Sequence, residues 1–203
     1  GPEAEIRALA DRLEVDLADL EIIDRGGVVA YPTDSCYALG CHIGDKSAME
    51  RIQRLRRLDS KHHFTLVCSD LSEIATYAKV DNAAYRLLRH CTPGPYTFVL
   101  PATHQVPRNH KNKRPATIGI RIPDHLIVQS ILDAIDEPIL SSSLILPDMD
   151  DEIYDAEDLY DAVHLDIDLF VDAGYCPMEP TTVLDLTGQS PVVLRQGKGV
   201  IDF

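Results

Sequence analysis

The run Gly26-Gly27-Val28-Val29-Ala30-Tyr31-Pro32-Thr33-Asp34-Ser35-Cys36-Tyr37-Ala38-Leu39-Gly40 decides how the rest of the chain is read. Val28, Val29 and Ala30 lead into Tyr31 and Pro32. β-Branched residues suit a pleated, covered surface, so this segment predicts a short buried strand. Proline has no N–H to give to a ladder, so Pro32 closes it. Thr33, Asp34 and Ser35 then set short polar side chains at a strand end, where open α/β sheets bind ligands. An ordinary corner, with Asp and Ser bonded to their own backbone, fits the same residues.

Upstream, Ile6, Leu9, Leu13, Leu17, Leu20 and Ile23 recur at helical spacing, and Gly26-Gly27 stops that helix. Downstream, Asp45 caps a helix that turns Met49, Ile52 and Leu55 inward and ends in Arg54, Arg56 and Arg57. Phe64 to Cys68 reads as the next strand. Asp70 with Glu73, and then Asp81, open two further helices. Thr92-Pro93-Gly94-Pro95 is a turn into a strand over Tyr96 to Leu100. Residues 104–115 read as a basic loop, and Thr117 to Ile122 as a strand carrying Arg121. An Arg on an otherwise apolar strand requires a partner or a ligand, because an unpaired buried charge is expensive. A helix over 125–135, a strand from Ile139 to Ser143 and a helix near 155–163 follow. Ile167 to Val171, Thr182 to Leu186 and Val192 to Arg195 are the last strands. Alternating elements that end in crowded strands predict an α/β domain with a mixed sheet.

The 203 residues suit one domain, and a hydrophobic content of 45% supports a core. With no Trp, that core is mostly aliphatic. No apolar run reaches the ~18 residues that span a bilayer, and no signal peptide opens the chain. Gly1-Pro2 reads as a cleavage scar. Five Cys without C-x-x-C spacing indicate reduced, mostly buried thiols in a cytoplasmic protein, with no structural metal. The net charge of −14 disfavours non-specific binding to phosphate backbones. The charge is uneven: residues 148–168 hold ten acidic residues and no Lys or Arg, while bases gather at 51–57 and 108–114. The acidic run reads as a solvated face, and a locally positive site fits the remainder.

Polar residues recur at strand ends: Thr33, Thr97, Thr117, Arg121, Ser141 to Ser143, Thr181, Thr182 and Arg195. Brought together by one sheet and joined by Arg56, they form a pocket of hydroxyls and guanidiniums. Guanidinium grips carboxylate or phosphate as a fork. No nucleophile–base pair, P-loop or G-x-G-x-x-G is present. The chemistry indicated is binding of a polyanion and a small zwitterion, with catalysis by positioning and charge stabilisation.

Blocks YPTDSCYALGC, TPGPYTFVL, TIGIRIPDH, PILSSS, PTTVLDL and VVLRQGKG, in that order over roughly residues 20–200, resemble the YrdC/YciO family, and its YciO branch most. The resemblance implies a single YrdC-like domain over 1–203, ending where the second domain of longer members begins. It implies a twisted open mixed sheet flanked by helices, with a positively charged concave cavity. Characterised members are threonylcarbamoyl-AMP synthases, which use ATP, L-threonine and bicarbonate, with Mg²⁺ accompanying ATP, to serve threonylcarbamoyladenosine in tRNA. Double-stranded RNA binding is ascribed to some members. Carried over by motif, Thr33, Arg121, Ser141 and Thr181 would face threonine. Arg56, Ser60, Thr117, Ser143 and Arg195 would face ATP.

The chain departs from the synthase signature at two places. Where the synthases carry K-x-R it has Arg56-Arg57-Leu58, and where they carry S-x-N it has Ser143-Leu144-Ile145. Lys and Arg are not equivalent at a fitted site. Two functions therefore stand from sequence: an adenylate-forming enzyme, or a paralogue that binds nucleotide or RNA without that chemistry.

Overall fold

In the computed structural model, Val29–Pro32 (β1) and Tyr37–His42 (β2) form an antiparallel hairpin, with Val29 opposite Gly40 and Pro32 opposite Tyr37. The structure describes residues 17–57, 64–108, 112–113, 116–147 and 155–203. β2 is absent from the sequence reading, which ends the strand of the opening run at Pro32. Its residues, Tyr-Ala-Leu-Gly-Cys-His, carry no β-branched side chain. Pairing imposes the strand instead, because β2 bonds to β1 on one side and to Ile139–Ser143 (β7) on the other. Gly40 is required by this packing. A Cβ there would lie 2.6 Å from Ile139 Cγ2 and 2.9 Å from Tyr31 Cε1.

The remaining strands are Thr65–Val67 (β3), Tyr96–Pro101 (β4), Asn112–Lys113 (β5), Ala116–Arg121 (β6), Leu169–Phe170 (β8), Thr182–Asp185 (β9) and Val192–Arg195 (β10). Among the described residues they build one sheet in the order β10-β9-β4-β6-β3-β7-β2-β1-β8, with β5 paired to β6. β4–β9, β3–β6 and β1–β8 are parallel and the other pairs antiparallel, so the expected mixed sheet is present. β5 interrupts the stretch expected to be loop from 104 to 115. Val106 in the same stretch is buried.

Asp45, Asp70 and Asp81 cap their helices as the sequence indicates, each accepting a backbone N–H of the first turn. These helices are Lys46–Arg56 (α2), Leu71–Tyr77 (α3) and Asn82–Cys91 (α4). Leu126–Ile135 (α5) and Ala156–Val163 (α6) complete the set after a short Glu21–Asp24 (α1). The long N-terminal stripe lies mostly outside the described residues. Its described end is a 3-10 turn, Leu17–Leu20, running into α1, and Gly26 at φ +89° stops it.

Alternation along the strands divides the core. One sheet face turns Leu66, Phe98, Leu100, Ile118, Ile120 and Leu184 onto α3 and α4, and Leu39, Cys41 and Leu140 onto α2 and α6. On the other face α1 and α5 cover only the end around Val29, Tyr31 and Ile139. Among the described residues, the rest of that face, over β3, β6, β4 and β9, carries no helix and forms a cavity. The acidic run is partly structural: Asp168 accepts from Val28 N at 2.8 Å and from Arg51 Nη1 at 2.7 Å. Cys36, Cys41, Cys68 and Cys91 are buried and Cys176 half-buried, all as free thiols. No described helix is long and apolar enough to cross a membrane.

Candidate functional site

The uncovered face encloses about 540 Å³. Its lining follows the period-two rule: Thr65 and Val67 from β3, Thr97 and Val99 from β4, Gly119 and Arg121 from β6. Register places Thr65 and Val99 on either side of Gly119, which therefore forms the floor. A Cβ at Gly119 would meet its neighbours at 3.7–3.8 Å, ordinary contact, so the fold tolerates a side chain there and the glycine gives depth instead.

Arg121 is 6% exposed and its guanidinium is largely committed. Nη2 reaches Asp34 Oδ1, and Nη1 donates to Ser35 Oγ at 3.1 Å. Asp34 Oδ2 accepts from Asp124 N at 2.8 Å, and Lys198 Nζ donates to the Asp34 carbonyl at 2.7 Å. The buried Nε–H has no protein partner. The strand arginine thus has the partner the sequence demands, a counter-charge, and it also lines the cavity. Asp34, read from sequence as a polar strand-end or corner residue, is that counter-charge.

The Thr33 hydroxyl is occupied by its own turn. It donates to Cys36 O at 2.7 Å and accepts from the N–H groups of Ser35 and Cys36 at 3.1 Å. It shapes the loop that delivers Asp34 and Ser35. Ser141 donates to Leu39 O at 3.1 Å and accepts from Tyr31 Oη at 2.6 Å. Burial pushes the Tyr31 phenol far above its ordinary range, so it stays protonated as that donor. Arg195 donates through Nε to Thr181 O at 2.9 Å and through Nη2 to Thr181 Oγ1 at 3.0 Å, and Thr181 lies 2.8 Å from Thr97 Oγ1.

Arg56 leaves the end of α2 and crosses to the exit of β7, reaching Ser142 Oγ and donating to Ile145 O at 3.2 Å. Burial lowers its pKa from the ordinary arginine value. Ile145, 40% exposed, lines the cavity together with Ser143.

Of the sequence-expected residues, the sheet brings Thr33, Arg56, Arg121, Ser141, Ser143, Thr181 and Arg195 to one cavity. Thr117 shares the face of β6 with Gly119 and Arg121 but sits one step outside the lining. Ser60 lies outside the described residues, as do Leu58 and residues 61–63. Sequence reasoning omitted Thr65, Gly119 and the apolar wall of Val99, Val183, Leu194 and Met178, and it noted Ser35 only as a polar strand-end residue. Alternation from Arg121 back to Gly119 was the available signal. Away from the cavity, Asp24, His42 and Glu137 bring ligand-type atoms within 4.8 Å of one another, a grouping with no sequence spacing to announce it.

The Sua5/yciO/yrdC family model, described as telomere recombination, matches residues 21–197. The chain is 52% identical over 181 residues to an uncharacterized protein of Haemophilus influenzae, covering 89% of this chain and 87% of that one. It is 31% identical over 134 residues to the threonylcarbamoyl-AMP synthase of Hydrogenovibrio crunogenus, covering 62% of this chain and 69% of the synthase. The crystal structure of Escherichia coli YciO superposes with a TM-score of 0.85 at 49% identity, covering 92% and 90% of the two chains. The crystal structure of P. abyssi Sua5 complexed with L-threonine gives a TM-score of 0.76 at 27% identity, covering 96% of this chain and 54% of that chain. The mixed sheet, the cavity-lining motifs and a match spanning residues 21–197 lead to one conclusion: the chain belongs to the Sua5/YciO/YrdC family.

Proposed function

We propose that the cavity binds L-threonine and ATP, and that the chain is an L-threonylcarbamoyladenylate synthase-like nucleotidyltransferase using bicarbonate, linked to threonylcarbamoyladenosine modification of tRNA. One observation carries the reading: a buried arginine, held by Asp34, lines a cavity walled by hydroxyls and further guanidiniums. Such a donor suits the carboxylate of an amino acid. The likeness to a Sua5 complexed with L-threonine and to a threonylcarbamoyl-AMP synthase supports the choice of ligand. In this reading a carbamate oxygen attacks the α-phosphorus and pyrophosphate leaves. Arg56 and Arg195 offset the charge that grows there, and Mg²⁺ enters with ATP as part of the substrate.

A second reading rests on Arg56 and Ile145. The Arg56 guanidinium is engaged with Ser142 and the Ile145 carbonyl, and the Ile145 side chain that also lines the cavity is apolar. That supports a YciO-type paralogue that binds nucleotide or double-stranded RNA and does not form the adenylate. Titration calorimetry with L-threonine and with MgATP tests the binding common to both. Saturable heats for both ligands support the first reading. Heat from MgATP alone supports the second, and no heat from either removes both.

A further inference from the structure

The hydroxyls at the cavity wall form a directed chain. Arg195 can only donate, so its bond to Thr181 Oγ1 makes that hydroxyl an acceptor. Thr181 is 7% exposed and touches Thr97 Oγ1 at 2.8 Å. If Thr97 donated to Thr181, the Thr181 hydroxyl would receive two donors and hold a buried proton in need of another acceptor. If Thr181 donates to Thr97, every group is satisfied in turn, and successive bonds polarise one another. The Thr97 proton is then the end of the chain, on a half-buried side chain that lines the cavity.

Thr97 lies beside Arg121. Phe98 pairs with Ile120, and one step along the same antiparallel register sets Thr97 opposite Arg121. Arg121 and the Thr97 side chain therefore line the same space, above the floor left open by Gly119. Two neighbouring donors at one wall match the two oxygens of a carboxylate.

We propose that Thr97 is a ligand-binding hydroxyl that completes, with Arg121, a clamp for the substrate carboxylate, and that Arg195 is a positioning residue that orients it through Thr181. The assignment rests on the L-threonine reading above and gives Arg195 a role at the amino-acid end of the cavity. Thr181 becomes the relay, and its hydroxyl is spent within the wall.

Calorimetry with L-threonine and L-threoninamide, which lacks the carboxylate, tests this on wild type, Thr97→Val, Thr97→Ser, Arg195→Met and the Thr97→Val/Arg195→Met double variant. Thr97→Val keeps the branched shape of a strand residue. It weakens L-threonine at least tenfold and leaves L-threoninamide unchanged, while Thr97→Ser stays within threefold of wild type. Arg195→Met alone weakens L-threonine several-fold but adds less than twofold in the Thr97→Val background, because the two act in series. Equal L-threonine affinity in Thr97→Val, losses that multiply in the double variant, or equal losses for the amide would each overturn the assignment. If Thr97→Val does not fold, Arg195→Met on the exposed edge strand decides: it must weaken L-threonine and spare the amide. Wild type that binds no L-threonine defeats the proposed function itself, and the clamp with it.

Discussion

Replacing Asp34 by Asn removes the counter-charge of Arg121 without changing the shape of the turn. The two side chains are 10% and 7% exposed, so the pair is screened little by water. Breaking a buried pair by removing one partner costs about 3–5 kcal/mol, because the other charge stays behind uncompensated. The amide adds a further conflict. Asp34 accepts from Arg121 Nη2 with one oxygen and from Asp124 N with the other, so either orientation of Asn points a donor at a donor. For a chain of this length each kcal/mol shifts the melting temperature by roughly 2–4 °C. Asp34→Asn is therefore expected to melt roughly 6–20 °C below wild type. Arg121→Met, which strands the carboxylate instead, falls in the same range. In the Asp34→Asn/Arg121→Met double variant neither charge remains buried, so its loss falls short of the summed single losses by at least about 1 kcal/mol. Urea unfolding of the four proteins measures this cycle. Single losses below about 1 kcal/mol, or strict additivity, would show that the pair does not organise the hairpin turn.

Gly119→Val should keep or raise stability, since a Cβ there meets only ordinary contacts and Gly weakens a strand interior. The same change fills the cavity floor and should abolish heats from L-threonine. A variant that binds like wild type, or one that unfolds, would contradict the position given to Gly119. Asp168 sets part of the acid response. Burial raises its pKa, but the bond from Arg51, the bond from Val28 N–H and the Arg51 charge together hold it below the usual carboxylate range. Its contribution is complete above the unfolded value of about 3.9 and is lost as pH falls through the lower folded value. Wild type should thus exceed Asp168→Asn in stability by a constant margin from pH 6 to 8 (about two units above the unfolded value and beyond), and the margin should vanish in acid. A margin that survives at pH 2 would refute this role.

Local signals located most of the fold. Asp45, Asp70 and Asp81 each stand before a helix whose first turn needs an acceptor, and each accepts there. The hydrophobic runs after Thr92-Pro93-Gly94-Pro95 and around Arg121 gave β4 and β6 directly. β2 was not legible, because tertiary pairing on both sides makes a strand of residues with weak strand preference. β5, at two residues, is too short to leave a periodic signal. The candidate site was legible in its charges and hydroxyls, which are rare on buried strands and so stand out. Its floor and apolar wall were not, since Gly119, Val99 and Val183 look like ordinary strand residues until neighbouring strands align them. Hydrogen-bond state was also hidden. Thr33, Ser141 and Thr181 reach the cavity as expected, yet their hydroxyls are largely used by the protein itself.

The most direct test of the account is turnover by the purified protein supplied with ATP, L-threonine, bicarbonate and Mg²⁺, following pyrophosphate and the adenylate product together. The account predicts that both appear only when L-threonine is present, and that Gly119→Val forms neither. MgATP binding with no threonine-dependent product would contradict the synthase reading and leave the nucleotide-binding paralogue.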